Sequence, residues 1–269
     1  MHLPTSQEGR YSQSLERGLA ILRAFTPERP WMGIAELAEH LEMSRPTTHR
    51  YASTLVALNY LEQGRGRKYR LGMRAADPGR SAVASTRLRA LPGALLGELR
   101  DRTGCTAGLA VLDGADIVYV DRARSARQGR SEVAARLGRG SRLPARDTAL
   151  GRALLADLSP AELRAALGES GKSRPGVSAK LLEELERVHR DGFAIADQLR
   201  VQTQLCVAAA VRGESGRAIA AVEVACAKSN CTATRARQEL APPVRATALE
   251  MSALLAVRPS ASKARSTFE

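Results

Sequence analysis

An α+β chain in two parts is predicted: an N-terminal winged helix-turn-helix, then a sheet with helices around it. Three observations predict this. Three short helical patterns between residues 11 and 58 run directly into a basic hairpin. Beyond residue 91, helical runs alternate with strand pairs. The chain has 269 residues, long for one domain. The implied division is a flexible arm at 1–10, the winged helix-turn-helix at 11–73, a linker helix at 74–90, a larger α/β domain at 91–257 and a flexible tail at 258–269.

Each element has a local cause. Leu15, Leu19, Leu22 and Phe25 recur at helical spacing and predict a first helix that stops before Pro27. Ile34, Leu37, Ala38 and Leu41 predict a short second helix. Ser44 can cap a third, with Pro46 tolerated in its first turn. Thr48, Tyr51, Leu55 and Leu58 would form its buried stripe. Then "YLEQ", "GRGR" and "KYRLG" read as two short strands around a glycine turn.

In the second part, "PGALLGELRDRTG" is an amphipathic helix ended by Gly104. "CTAGLAVL", the Asp113-Gly114 turn and "DIVYVD" make a strand pair. Residues 122–131 are loop-like, and "SEVAARLG" could form a further strand. "DTALGRALLADL", "SPAELRAALG" and "SAKLLEELERVHRDG" are helical; "FAIADQ", "LCVAAAVRG" and "RAIAAVEVACA" are strand-like. A last helix over 234–256 would be bent by Pro242-Pro243.

A net charge of +13 suits a polyanionic partner. However, 36 of the 41 basic residues are arginine, spread along the whole chain, so only local clustering argues for nucleic acid. The four cysteines, Cys105, Cys206, Cys226 and Cys231, make no C-x-x-C pair and have no zinc spacing, so neither a metal nor a cofactor is expected. No apolar run approaches about 18 residues and the N-terminus has no apolar core, which predicts a cytoplasmic protein without membrane contact.

The clustering is present in the third helix and the hairpin. The buried stripe leaves Ser44, Arg45, Thr47, His49, Arg50 and Ser53 on or beside the opposite face, toward the N-terminal end. That is where a recognition helix touches base edges, and arginine reads guanine bidentately. The hairpin adds Arg65, Arg67, Lys68 and Arg70, with no acidic residue from Gln63 through Ala76. Such a wing lies against phosphates or enters the minor groove. The first two helices, with Glu16, Glu36, Glu39 and Glu42, are not similarly basic.

"SLERGLAILRAF", "AELAEHLEMSRPTTHRYASTLVALNYL" and "KYRLG" resemble the DNA-binding domain of IclR-type transcriptional regulators. "GSRLPARDTALGRALLADL", "LERVHRDGFAIADQ" and "GRAIAAVEVA" resemble that family's effector-binding domain, so the likeness covers about residues 11–257. It implies a sequence-specific, non-enzymatic regulator that binds a pseudo-palindromic operator on double-stranded DNA as a homodimer or homotetramer. It also implies a GAF-like C-terminal domain in which a small organic, often aromatic, acid controls operator binding or activity. "YSQSLERGLAILRAF" and "DGFAIADQ" look closest to regulators of aromatic-acid catabolism.

The chain departs from the family pattern in three places. Glu42 stands where the family usually has glycine; at positive φ it would cost about 1 kcal/mol. "LRVQTQ" follows "IADQ" where an acid and a glycine turn are usual, and Arg146 replaces the usual His or Tyr. Matching motifs residue by residue, the resemblance places Ala149, Leu150, Ala196, Cys206, Glu223 and Ala225 around the effector.

Alternation alone puts Glu223 and Ala225 on one strand face. Glu223 is then either an inward carboxylate that needs a partner or an outward one on a sheet edge. "GESGKS" lacks the first glycine of a phosphate loop, since Ala166 stands there, and it follows a helix. His189 reads as a solvated cation near a helix C-terminus. Nothing in the spacing shows that Cys226 and Cys231 approach.

Overall fold

The computed structural model describes residues 11–26, 28–79, 93–126, 137–168, 177–197 and 204–256. They fall in two compact units, Met1–Thr86 and Arg87–Glu269.

The first unit holds α1 (Gln13–Ala24), β1 (Met32–Gly33), α2 (Ile34–His40), α3 (Arg45–Ala57), β2 (Leu61–Gln63) and β3 (Lys68–Leu71). Ser12 caps α1 by accepting from the Leu15 N–H, and Ser44 caps α3 by accepting from the Thr47 N–H. The sheet has order β1-β3-β2, all antiparallel. β1, two residues long, is too short to show a period and is absent from the sequence reading. The core is Ile21, Ala24, Phe25, Met32, Leu37, Ala52, Leu61 and Tyr69.

The apolar stripe of α1 is only partly packed, and the predicted buried stripe of α3 is corrected at Leu58. Leu15 and Leu19 are 64% and 44% exposed; Ile21, Ala24 and Phe25 carry the packed side of α1 instead. Helical spacing finds an apolar stripe but not whether the core or another surface covers it. Leu58, 50% exposed, is the C-cap of α3, beyond its last packed turn.

Both α2 and α3 end in Schellman turns. The Met43 N–H donates to the Ala38 carbonyl (2.9 Å) and the Glu42 N–H to the Glu39 carbonyl (3.3 Å). The Tyr60 and Asn59 N–H groups repeat the pattern onto Leu55 and Val56. The turn residues are therefore left-handed, Glu42 at φ 52° and Asn59 at φ 62°. Asparagine tolerates that region; glutamate pays for it.

The connector is described as far as residue 79. Met73–Ala76 is a 3-10 turn and helical residues begin at 77; the remainder of the predicted linker helix lies outside the described residues. So does most of "SEVAARLG".

The second unit is a six-stranded antiparallel sheet of order β6-β5-β4-β9-β8-β7. Its strands are β4 (Thr106–Asp113), β5 (Asp116–Ala123), β6 (Arg142–Pro144), β7 (Ala194–Asp197), β8 (Gln204–Arg212) and β9 (Ala218–Ala227). One face packs α4 (Gly93–Thr103) and α8 (Ala241–Ala256) against Leu109, Val207, Val222 and Val224. The other packs α5 (Ala149–Leu155), α6 (Pro160–Leu167) and α7 (Ala179–Asp191) against Ala110, Ala208, Ala221 and Ala225. Helices thus cover both faces, and the two faces differ in side-chain size. Before α8 the chain is π-helical over Ala236–Leu240, where the Ala241 N–H donates to the Ala236 carbonyl. This is how the helix passes Pro242 and Pro243, which offer no N–H.

Replacing Glu42 by glycine should remove the left-handed strain and raise the stability of the first unit by about 1 kcal/mol. Trp31 is the chain's single tryptophan and lies in this unit, so its emission during urea denaturation reads that change directly.

Candidate functional site

Two places concentrate polar chemistry, one in each unit. In the first, α3 presents Arg45, His49, Arg50 and Ser53 to solvent. Ser44 and Thr47 are partly spent on the cap, the Ser44 hydroxyl donating to Thr47 Oγ1 at 2.8 Å. The Thr48 hydroxyl donates to the Ser44 carbonyl (3.0 Å) and is buried, which fixes the inward side. The Tyr51 hydroxyl donates to Ser14 Oγ (3.1 Å), tying α3 to α1. The outward side of α3 is consequently held in place by its inward one.

Between α3 and the wing lies a cleft of about 480 Å³ lined by Gly33, Glu36, His49, Gln63, Arg67 and Lys68, among others. The four wing cations are not equivalent. Arg65 and Arg67, at the turn, are exposed and have no acidic partner among the described residues. Lys68 Nζ sits 3.8 Å from Glu36 Oε1, both half exposed. Arg70 is held by Glu62 Oε2 at 2.6 Å and stacks on Trp31, 5.0 Å from the ring centroid. The sequence run free of acids from Gln63 through Ala76 concealed these pairs, because Glu36 and Glu62 arrive from α2 and the opposite strand.

In the second unit, Glu223 lies on β9 at the middle of the sheet and is 1% exposed. That decides between its two readings: it faces inward. The Tyr119 hydroxyl donates to its Oε1 at 2.6 Å. The two meet across Gly108 of β4, where a Cβ would stand 3.1 Å from Tyr119 Cε1 and 3.4 Å from Glu223 Oε1. The Arg122 guanidinium lies 5.0 Å from the Tyr119 ring centroid, and its Nη1 donates to the Leu137 carbonyl. Ala149, Leu150, Ala196, Cys206 and Ala225 are all buried in the cluster on this same face. Sequence reading missed Tyr119 and Arg122. Their signal was a tyrosine and an arginine on the strand that pairs with "CTAGLAVL".

A second thiol group, unforeseen in sequence, gathers on the opposite face. Cys105, Cys226 and Cys231 are buried together in the cluster on that face, the Cys105 thiol donating to the Thr103 carbonyl and the Cys231 thiol to the Thr232 carbonyl. Burial, reinforced by Cys226, pushes the Cys105 thiol up to about 12 and that of Cys231 up to about 11. Such thiols stay protonated and are poor nucleophiles.

Residues 14–65 match the IclR helix-turn-helix domain, and residues 80–253 match the family described as bacterial transcriptional regulator IclR C-terminal. The chain belongs to the IclR family of transcriptional regulators. It is 33% identical to the HTH-type transcriptional regulator XynR of Escherichia coli (strain K12) over 218 residues, 79% of this chain and 85% of that one. The Pca regulon regulatory protein of Pseudomonas putida is 31% identical over 237 residues, 86% and 80% of the two chains. Among solved structures, a transcriptional regulator from Rhodococcus sp. RHA1 superposes with a TM-score of 0.73 at 30% identity, covering 91% of this chain and 99% of that one. An IclR homolog from Microbacterium hydrocarbonoxydans, complexed with 4-hydroxybenzoate, shares the fold with a TM-score of 0.71 at 23% identity over 90% and 99% of the chains.

This IclR-family regulator therefore joins a helix-turn-helix DNA-binding domain to a C-terminal effector domain with a mixed helix and sheet fold. Among the described residues, no helix is long and apolar enough to cross a membrane. Within the effector domain, burial pushes the Glu223 carboxyl above its ordinary value, while the Tyr119 hydrogen bond and the Arg122 charge pull partly back. Burial and then the Glu223 charge push the Tyr119 phenol well above its usual range.

A carboxyl whose folded value is raised holds its proton more tightly when folded. Its contribution to stability is then full below the ordinary value of 4.5 and is lost as pH rises through the folded value. Glu223→Gln should consequently match or trail the parent at pH 4 and gain on it progressively above 4.5, levelling off beyond the folded value. Urea denaturation by far-UV circular dichroism across pH 4–8 checks this; a gap that does not change with pH would show an unshifted carboxyl.

Proposed function

We propose that this regulator reads operator DNA with α3 and the wing, and that a small organic acid bearing a hydroxyl controls it from the Glu223 face. The observation that carries the first half is charge placement. Arg45, His49 and Arg50 on α3 and Arg65 and Arg67 on the wing are exposed without acidic partners among the described residues, and His49 and Arg67 line one cleft. In this reading Arg45 reads base edges, Ser44, Thr47 and Ser53 serve phosphate or base, Arg65, Arg67 and Lys68 meet the phosphate backbone, and Arg70 stands behind them at the base of the wing. Two subunits on a pseudo-palindromic operator would supply two half-sites. The chain acts as a cytoplasmic homodimer or homotetramer and performs no catalysis.

For the effector, Ala149, Leu150, Ala196, Cys206 and Ala225 supply small walls on one sheet face, and Glu223 supplies the polar anchor. A buried acceptor favours a ligand donor, so the hydroxyl of a hydroxy acid suits Glu223 and a bare carboxylate does not. The ligand acts by preferring one arrangement of the DNA-binding domains over another.

Two experiments test this reading. Arg45→Ala should relax discrimination between the DNA upstream of the regulator's own gene and random duplex. Arg67→Ala should weaken both similarly and lower the salt slope by about 1. Equal effects of the two variants on random DNA would contradict the roles. In thermal-shift measurements, 4-hydroxybenzoate should raise the melting temperature more than benzoate, and Glu223→Ala should abolish the difference. A response equal for both acids would remove Glu223 as the anchor.

A further inference from the structure

Trp31 immediately precedes β1 and is 40% exposed. Its ring lies against Gly64, where a Cβ would fall 2.6 Å from Cζ3 and 2.7 Å from Cη2. Gly64 opens the wing turn, its N–H donating to the Lys68 carbonyl at 2.8 Å. The same indole carries the Arg70 guanidinium, whose Nε and Nη2 reach Glu62 Oε2 at 2.8 Å and 2.6 Å. One aromatic ring thus touches both strands of the hairpin where the turn begins. Above it, the turn has little else to hold it: Gly66 and Arg67 are left-handed, at φ 72° and 56°, and residues 65–67 are all exposed.

We propose that Trp31 is a positioning residue for DNA binding, clamping Gly64 and Arg70 so that the wing tip enters its complex already oriented. Arg70 is then a brace for the wing. The physical gain is preorganisation: a turn that must be ordered during binding costs affinity, whereas one held beforehand does not. Cation–π stacking and the Glu62 pair fix Arg70 on the ring, and the absent side chain of Gly64 admits the indole. This inference rests on the reading of Arg65 and Arg67 as phosphate contacts.

The two ideas separate in one salt titration. Binding of the full-length protein to a fluorescein-labelled mixed-sequence duplex is followed by anisotropy. Trp31→Ala should raise Kd about tenfold while leaving the slope of log Kd against log salt unchanged, since no phosphate contact is lost. Trp31→Phe, which keeps a ring against Gly64, should recover most of the affinity. Arg70→Gln should behave like Trp31→Ala. Gly64→Ala, whose new methyl displaces the indole, should weaken binding in the same slope-neutral way, and it replaces Trp31→Ala if that variant does not fold.

Wild-type affinity in Trp31→Ala, with Arg67→Ala still lowering the slope by about 1, would overturn the positioning role and leave the wing assignment standing. A slope drop in Trp31→Ala or Arg70→Gln would make that side chain a direct phosphate contact and overturn the proposal. An unchanged slope in Arg67→Ala would remove the wing assignment and the proposal with it.

Discussion

A carboxyl at the centre of a six-stranded sheet must be partnered, and the effector domain is arranged around that requirement. Glu223 has a neighbouring strand on each side and helices over its face, and it is 1% exposed, so its partner must come from within the domain. Tyr119 supplies the hydrogen bond from two strands away, and the absent side chain at Gly108 leaves room for them to meet, since a Cβ there would crowd Tyr119 Cε1 at 3.1 Å. A register irregularity between Leu109 and Ala110 supports the arrangement. Gly108 pairs with Arg122 and Ala110 with Tyr119, which brings two residues three apart onto one face of β5. Val222 and Val224 then fall on the opposite face, where α4 and α8 cover them. Bulk on one side and small residues on the other follow from the same strands.

The DNA-binding domain solves a different problem with a smaller core. Among the described residues a cluster of eight buried apolar residues holds three helices and a three-stranded sheet, so orientation depends heavily on how each element ends. Two Schellman turns set where α3 begins relative to α2 and where β2 leaves α3. Glu42 occupies the first of these turns despite the strain, which shows the turn geometry prevailing over local preference. The outcome is a recognition helix whose inward face is set by Thr48, Tyr51 and Ala52 and whose outward face is left to its cations.

Sequence was informative wherever a local cause sufficed. Ser44 caps α3 by accepting from the Thr47 N–H, a relation confined to four residues. The period-two pattern of "AVEVA" likewise placed Glu223 beside Ala225 before any sheet was known. Legibility ended where the partner was distant. Tyr119 and Glu223 are 104 residues apart, and Cys105 shares a buried cluster with Cys226 because β4 pairs with β9. Leu58 departs from its predicted burial for a related reason: periodicity records which residues share a helix face, whereas burial depends on what packs there. β1 escaped notice because two residues make no pattern; its existence comes from pairing with Tyr69 and Lys68.

Charge completes the argument, because a net charge of +13 is too diffuse to direct DNA to any one face. Pairing does the sorting. A phosphate approaching Arg70 must compete with Glu62 and forfeit the Trp31 stack, so that cation is costly to redeploy. Lys68 is held by one half-exposed carboxylate at 3.8 Å, a surface pair worth between nothing and about 1 kcal/mol, and it can swing away cheaply. Among the described residues, Arg65 and Arg67 have no such partner to give up. The wing therefore presents a gradient from committed charge at its base to free charge at its tip, and the free end adjoins the cleft that His49 lines. Local acids concentrate the usable positive potential by neutralising it elsewhere.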